Sequence, residues 1–227
     1  MTYREASAER NRAPSPRRAR RTPSESREQL LRAATTEFVS HGFAGARISR
    51  IVKKAGSNPR MIYHYFGSKS QLYVAVLEDK LGALRRRELQ IDVEHLDPQE
   101  GLLQLFDFMA EHFERNQHLV RLLSAENLLK AKYMRMSSRI PEMSSPVLAM
   151  IERLIERGRR TGRLARGLDG LRLYVLMVSL SQFHLSNAHT LSTIFGRDLS
   201  APEWRRERMQ DARRMLSEFL APALGTA

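Results

Sequence analysis

Apolar side chains recur along most of this chain at intervals of three and four, the spacing that gathers them on one face of an α-helix. Leu30, Leu31, Ala34, Phe38 and Val39 keep that rhythm as far as His41 and Gly42. A first helix is therefore predicted to open near Ser26, with Gln29 completing a capping box, and to stop at Gly42. Ile48, Ile51, Val52 and Ala55 make a second, shorter stripe that ends against Gly56. Asn58 then suits an N-cap and Pro59 the first helical position, where a missing N–H costs nothing. In this third helix Ile62 and Phe66, four apart, face inward with Tyr65 partly beside them.

From Ser68 onward the periodicity stays helical. Leu72, Val76, Leu81 and Leu84 mark one helix ending in RRRE, and Asp97 and Pro98 open another striped by Leu102, Phe106, Met109 and Phe113. Leu119 to about Lys130 and a segment with Val147, Ile151, Leu154 and Ile155 follow. Leu171 to about Thr190 is predicted as one helix, apolar nearly all round, and Trp204, Ala212, Leu216 and Phe219 stripe the last. No strand signal and no internal repeat interrupts them, so the fold class is all-α. A helix apolar on every side needs cover from its own domain and from a second surface, which predicts a homodimer through the last two helices.

Two short helices across a glycine turn form a helix-turn-helix, whose second helix reads base edges in the major groove with its N-terminal residues. Pro59, Arg60, Met61, Tyr63 and His64 are the side chains left to project outward. Arg60 suits guanine O6 and N7, Met61 a thymine methyl, and Tyr63 and His64 phosphate oxygens. The same pattern also fits a solvated helix face with ordinary rings packed on the core.

Charge sharpens the choice of partner. Thirty-eight Lys plus Arg against 25 Asp plus Glu give a formal +13 and a pI near 10.8, a balance that favours polyanions. Residues 1–24 hold seven arginines and few large apolar groups. They are expected to be a disordered basic tail, either a solubilising leader or an arm along phosphates. RRARR at Arg17 is followed by TPSESREQ rather than an apolar segment, so no export signal is expected. The longest apolar run, LYVLMVSL, is far short of the roughly 20 residues of a membrane span. With no cysteine, these features predict a soluble, cytoplasmic protein away from membranes. Neither G-x-S-x-G nor G-x-x-x-x-G-K-[ST] occurs, and His184 and His189 are five apart without a zinc-binding spacing. No enzyme, cofactor or metal is expected.

The segment SREQLLRAATTEFVSHGFAGARISRIVKKAGSNPRMIYHYFGSKSQLYVAVLE, residues 26–78, resembles the DNA-binding domain of the TetR family of bacterial transcriptional regulators. The match rests on Gly42, Phe43, Ala55, Gly56, Tyr63, Tyr65, Phe66, Ser68, Lys69 and Leu72. It implies a helix-turn-helix domain over 25–67 and a helical effector-binding and dimerisation domain over 68–227. It also implies that Asn58, Pro59, Arg60, Met61, Tyr63 and His64 meet DNA while Lys69 grips phosphate from a helix capped by Ser68. Ala46 and Arg47 stand where the family usually has threonine; Arg47 is a further phosphate candidate, and Ser49 on the same helix a further base-contacting one. The function implied is a ligand-responsive regulator, a repressor binding a palindromic operator as a homodimer. The alternative is an architectural, nucleoid-associated protein without an effector. Phe106, Phe113, Glu126, Asn127, Tyr133, Met177, Gln182, Phe183 and His184, polar groups among apolar helical stretches, are the candidate ligand residues. Glu126 falls on the stripe Leu119, Leu122, Leu129 and needs a partner, either an arginine of the same domain or a ligand.

Overall fold

A computed structural model describes residues 22–143 and 146–222; the predicted tail lies outside them except for its last three positions. The described residues contain α-helices, one 3-10 turn and no strand. The chain opens with α1 (Pro23–Gly45), α2 (Ile48–Ala55), α3 (Pro59–Phe66) and α4 (Lys69–Glu88). It continues through α5 (Pro98–Arg115), α6 (Gln117–Leu128), the 3-10 turn Met134–Met136 and α7 (Arg139–Glu142). It closes with α8 (Pro146–Thr161), α9 (Gly170–Ser186), α10 (Ala188–Phe195) and α11 (Pro202–Leu220).

α1 starts one turn before the predicted Ser26. Thr22 Oγ1 accepts the Glu25 N–H at 3.2 Å, and the Glu25 carboxylate accepts the Thr22 N–H at 2.8 Å. Pro23 stands at the first helical position, so this reciprocal pair takes over the cap assigned to Ser26 and Gln29. At its other end Gly42 has φ +62 and ψ 178, which breaks the helical path where the sequence placed the stop. The predicted single helix 171–190 is two, because the chain leaves helical geometry at Asn187, φ −112 and ψ 7. There the Asn187 side-chain amide and its backbone N–H both donate to the Phe183 carbonyl, at 2.9 and 3.1 Å.

Two hydrophobic clusters share α4. In the first, Leu30 and Phe38 of α1, Ile51 of α2, Ile62 and Phe66 of α3, and Leu72 to Leu77 of α4 are joined by Leu122 and Tyr133. In the second, Leu81 and Leu84 of α4 join Leu102, Phe106 and Met109 of α5, Ile151 and Leu154 of α8, Leu173 and Met177 of α9, and Ala212, Leu216 and Leu220 of α11. α4 thus joins the head formed with α1–α3 to the body formed by the later helices. α5 and α8 approach closely at Gly101, where a Cβ would meet Leu154 at 2.8 Å. On α11 the inward residue is Leu220, with Phe219, predicted inward, 53% exposed.

Candidate nucleic-acid interface

The turn between α2 and α3 is built by Gly56, which adopts φ +57 and donates to the Lys53 and Val52 carbonyls. Only glycine takes this left-handed position without strain. Asn58 Oδ1 accepts the Met61 N–H at 3.3 Å and Pro59 follows, so α3 begins where the sequence placed it. Ile62 and Phe66 are buried in the first cluster, leaving Asn58, Pro59, Arg60, Tyr63 and His64 exposed and Met61 half-buried against it. The rings of His64 and Tyr65 meet edge to face, 5.0 Å apart. Arg47 and Ser49 are exposed at the start of α2.

Ser68 Oγ accepts the Gln71 N–H at 3.1 Å and so caps α4 directly before Lys69. The Lys69 ammonium lies 4.7 Å from the centre of the Phe43 ring, a cation–π contact that aligns it across the end of α1. Burial lowers its pKa, the Glu37 charge works to raise it, and the net shift is downward.

Glu37 is a residue that sequence reasoning did not single out. Buried on α1, it accepts the Arg47 backbone N–H at 2.9 Å and the Arg50 Nε–H at 2.6 Å, while the Arg50 guanidinium also reaches the Gly45 carbonyl at 2.6 Å. Burial by itself would raise its pKa, but the Arg50 and Arg47 hydrogen bonds outweigh that and hold it below the usual carboxylate value. This carboxylate meets the N-terminus of α2, which has no side-chain cap of its own. The signal available was an acidic residue beside Ala34 and Phe38 on an otherwise apolar face.

The candidate ligand residues do not converge. Phe106, Phe113 and Met177 are closed inside the second cluster. Tyr133 and Glu126 lie between head and body, with the Tyr133 ring set against Phe43 and Tyr73 at 4.2 and 5.2 Å between ring centres. Glu126 bonds the backbone rather than an arginine. Its Oε2 accepts the Tyr133 and Met134 N–H groups at 3.0 Å each, brought round by Lys130 and Ala131 at φ +53 and +55. Burial, with the Glu126 carboxylate nearby, raises the pKa of the Tyr73 phenol. Asn127 and Phe183 are exposed, Gln182 is half-buried, and His184 is buried on α9. Burial and the Arg208 and Arg205 charges push the His184 pKa down to about 4. No group of three His, Cys, Asp or Glu among the described residues could hold a metal ion, and none of their helices is long and apolar enough to cross a membrane.

A capped recognition helix set across a glycine turn, with its inner face buried and its outer face basic and polar, defines a helix-turn-helix DNA-binding protein. Comparison with known proteins narrows that class. Residues 30–76 match the model of bacterial regulatory proteins of the tetR family, and residues 98–216 match the tetracyclin repressor-like C-terminal domain. The HTH-type transcriptional repressor NicS of Pseudomonas putida is 33% identical over 174 residues, which span 77% of this chain and 82% of that one. The reduced form of E. coli NemR superposes with a TM-score of 0.62 at 24% identity, over 88% of this chain and all of that one. The regulator FadR from Bacillus subtilis, solved in complex with stearoyl-CoA, gives 0.58 at 17% identity over 85% and 98% of the two chains. This chain belongs to the TetR family and is a DNA-binding transcriptional regulator.

Proposed function

We propose that the protein is a homodimeric repressor that reads a two-fold symmetric operator through α3 and releases it when a small molecule binds the helical body. The observation that carries DNA reading is the division of α3 into a buried face, Ile62 and Phe66, and an open face, Asn58, Pro59, Arg60, Tyr63 and His64. Repression is supported by the relative NicS, which is named a repressor. Residues 25–67 act as the reading head and 68–227 as the effector-binding and dimerisation body, with α4 passing motion between them through both clusters. Such a regulator works in the cytoplasm, where its DNA is. The tail before Thr22 adds non-specific affinity through its arginines.

Within the interface Arg60 reads base edges from the first turn of α3, with Asn58, Pro59, Met61, Tyr63, His64 and Ser49 around it. Arg47 and Lys69 hold phosphates on either side. Base reading and phosphate gripping separate in a titration of variants against operator, one-base operator variants and random duplex at several salt concentrations. Arg60→Ala is expected to cost about 1–3 kcal/mol at the operator and to relax preference at one base pair per half-site. Lys69→Ala is expected to weaken all duplexes alike and to reduce the salt slope by roughly one for each phosphate no longer neutralised. If neither substitution changes binding, α3 is not in the groove and the reading fails.

A further inference from the structure

Where the end of α9 meets the start of α11, three buried side-chain nitrogens have no hydrogen-bond partner: Nδ1 and Nε2 of His184 and Nε of Arg205. His184 is only 3% exposed. A neutral imidazole there presents one donor and one acceptor that nothing in the protein meets. Buried polar groups are nearly always satisfied, so this orphaned imidazole sets the end of α9 apart.

Beside the imidazole opens a cavity of about 520 Å³, walled by Phe183, Leu191, Phe195 and Trp204 and edged by Arg197 and Arg208. On α11 Arg205 pairs with Glu114, and Arg213 with Asp107. Arg197 and Arg208 pair with no carboxylate among the described residues. Phe183 and Phe195 stand 55% and 68% exposed at the same rim. Without a ligand or a partner subunit the rings stay in water and both guanidinium groups meet no carboxylate of the described residues. Apolar walls with two free cations at the edge suit a molecule that is apolar at one end and anionic at the other.

We propose that this cavity between α9, α10 and α11 binds an amphipathic organic carboxylate. Its apolar body lies against Phe183, Phe195 and Trp204, and its carboxylate lies between Arg197 and Arg208, with the buried His184 behind the apolar wall. The proposal deepens the effector-responsive reading above and rests on it. Phe183 also ends the outward row Leu171, Val175, Ser179 and Phe183 on α9, four residues apart. A ligand in the cavity therefore sits at the edge of the face on which a second copy would pack, where it can alter how two protomers meet.

Trp204 is the chain's single tryptophan, so selective excitation reports on this wall alone. The probes are cyclohexanecarboxylate and its uncharged amide, cyclohexanecarboxamide, titrated into the full-length protein. Cyclohexanecarboxylate is expected to change Trp204 emission saturably and to bind about tenfold or more tighter than the amide, a charge-dependent difference of about 1.4 kcal/mol. The double variant Arg197→Gln with Arg208→Gln is expected to lose that preference while keeping the wild-type melting temperature and oligomeric state. The site is overturned if emission does not change saturably, if acid and amide bind alike, or if the double variant binds cyclohexanecarboxylate undiminished. It is equally overturned if the variant changes only the oligomeric state by light scattering, because the arginines would then serve the subunit interface. A second arm adds cell extract to wild type and double variant bound to operator DNA. Release from wild type alone supports the site, whereas equal release from both leaves the effector-responsive reading standing and removes this site. Release from neither sinks the effector-responsive reading itself and the site with it.

Discussion

Glu37, 8% exposed on α1, accepts hydrogen bonds from the backbone N–H of Arg47 and from the side chain of Arg50. It accepts the N–H of Arg47, the residue directly before α2, and ties the first two helices of the head together across ten to thirteen residues. Glu37→Gln keeps the shape but supplies a neutral acceptor to Arg50 and leaves a donor group in a site built for acceptance. Leaving a buried polar group mispaired costs about 1–3 kcal/mol, and the expected loss of stability is in that range, read by chemical denaturation. Because α2 supports α3, operator affinity is expected to fall more steeply than global stability. Equal stability of variant and wild type would show that the ion pair is replaceable. The residue was hidden in the sequence because its partners lie on another helix. Asn58, Ser68 and Asp97, by contrast, bond N–H groups only two or three residues on, so Asn58 and Asp97 could be placed at helix starts from local sequence, and Ser68 from the family resemblance.

At the scale of elements, what could be read in the sequence was whatever the chain decides locally. The inward pair Ile62 and Phe66, the glycine turn at Gly56 and the stop at Gly42 follow from periodicity and backbone preference within one or two turns. What escaped was decided by competition between near-equal signals. Two candidate capping boxes overlap at the start of α1, and the earlier one wins because Pro23 fixes the first turn and Glu25 closes back on Thr22. Asn187 ends α9 because its amide bonds the Phe183 carbonyl, an outcome that an apolar pattern running past residue 187 conceals. Glu126 found two backbone N–H groups because the chain turns back at Lys130 and Ala131, a conformation that no residue type there demands. The competition at α1 can be tested. Thr22→Ala is expected to cost about 1 kcal/mol, whereas Ser26→Ala, now inside the helix, is expected to be close to neutral or slightly stabilising. Circular-dichroism melts of both variants decide the matter, and a larger loss at Ser26 would put the helix start back where periodicity alone suggested.

For the whole molecule, two buried histidines make stability depend on pH. His112 is lowered to about 4 by burial and by the Arg87 and Arg85 charges, and His184 to about 4 by burial and by Arg208 and Arg205. The unfolded chain binds these protons near pH 6.5 and the folded chain only near 4, so stability is full above 6.5 and falls as pH drops between those values. The loss is on the order of 3 kcal/mol per histidine at most, and His112→Gln or His184→Gln should flatten the denaturation midpoint across that window. Assembly is the other property at this scale. Leu171, Val175 and Phe183 on α9 and Met215 and Phe219 on α11 are each more than half exposed, while Leu173, Met177, Ala212 and Leu216 on the opposite sides of the same helices are buried. A monomer would keep this double row of large apolar groups in water, and a two-fold partner with the same row covers both at once. Val175→Glu places a charge in the middle of that face without touching the core, so it is expected to yield a folded monomer by light scattering with an unchanged helical spectrum. Operator affinity should fall sharply, since each head then binds its half-site without the second head held beside it. If Val175→Glu remains a dimer, α9 and α11 do not form the interface and the exposed rows must serve another partner. If it is monomeric yet binds the operator undiminished, the two half-sites are not read together.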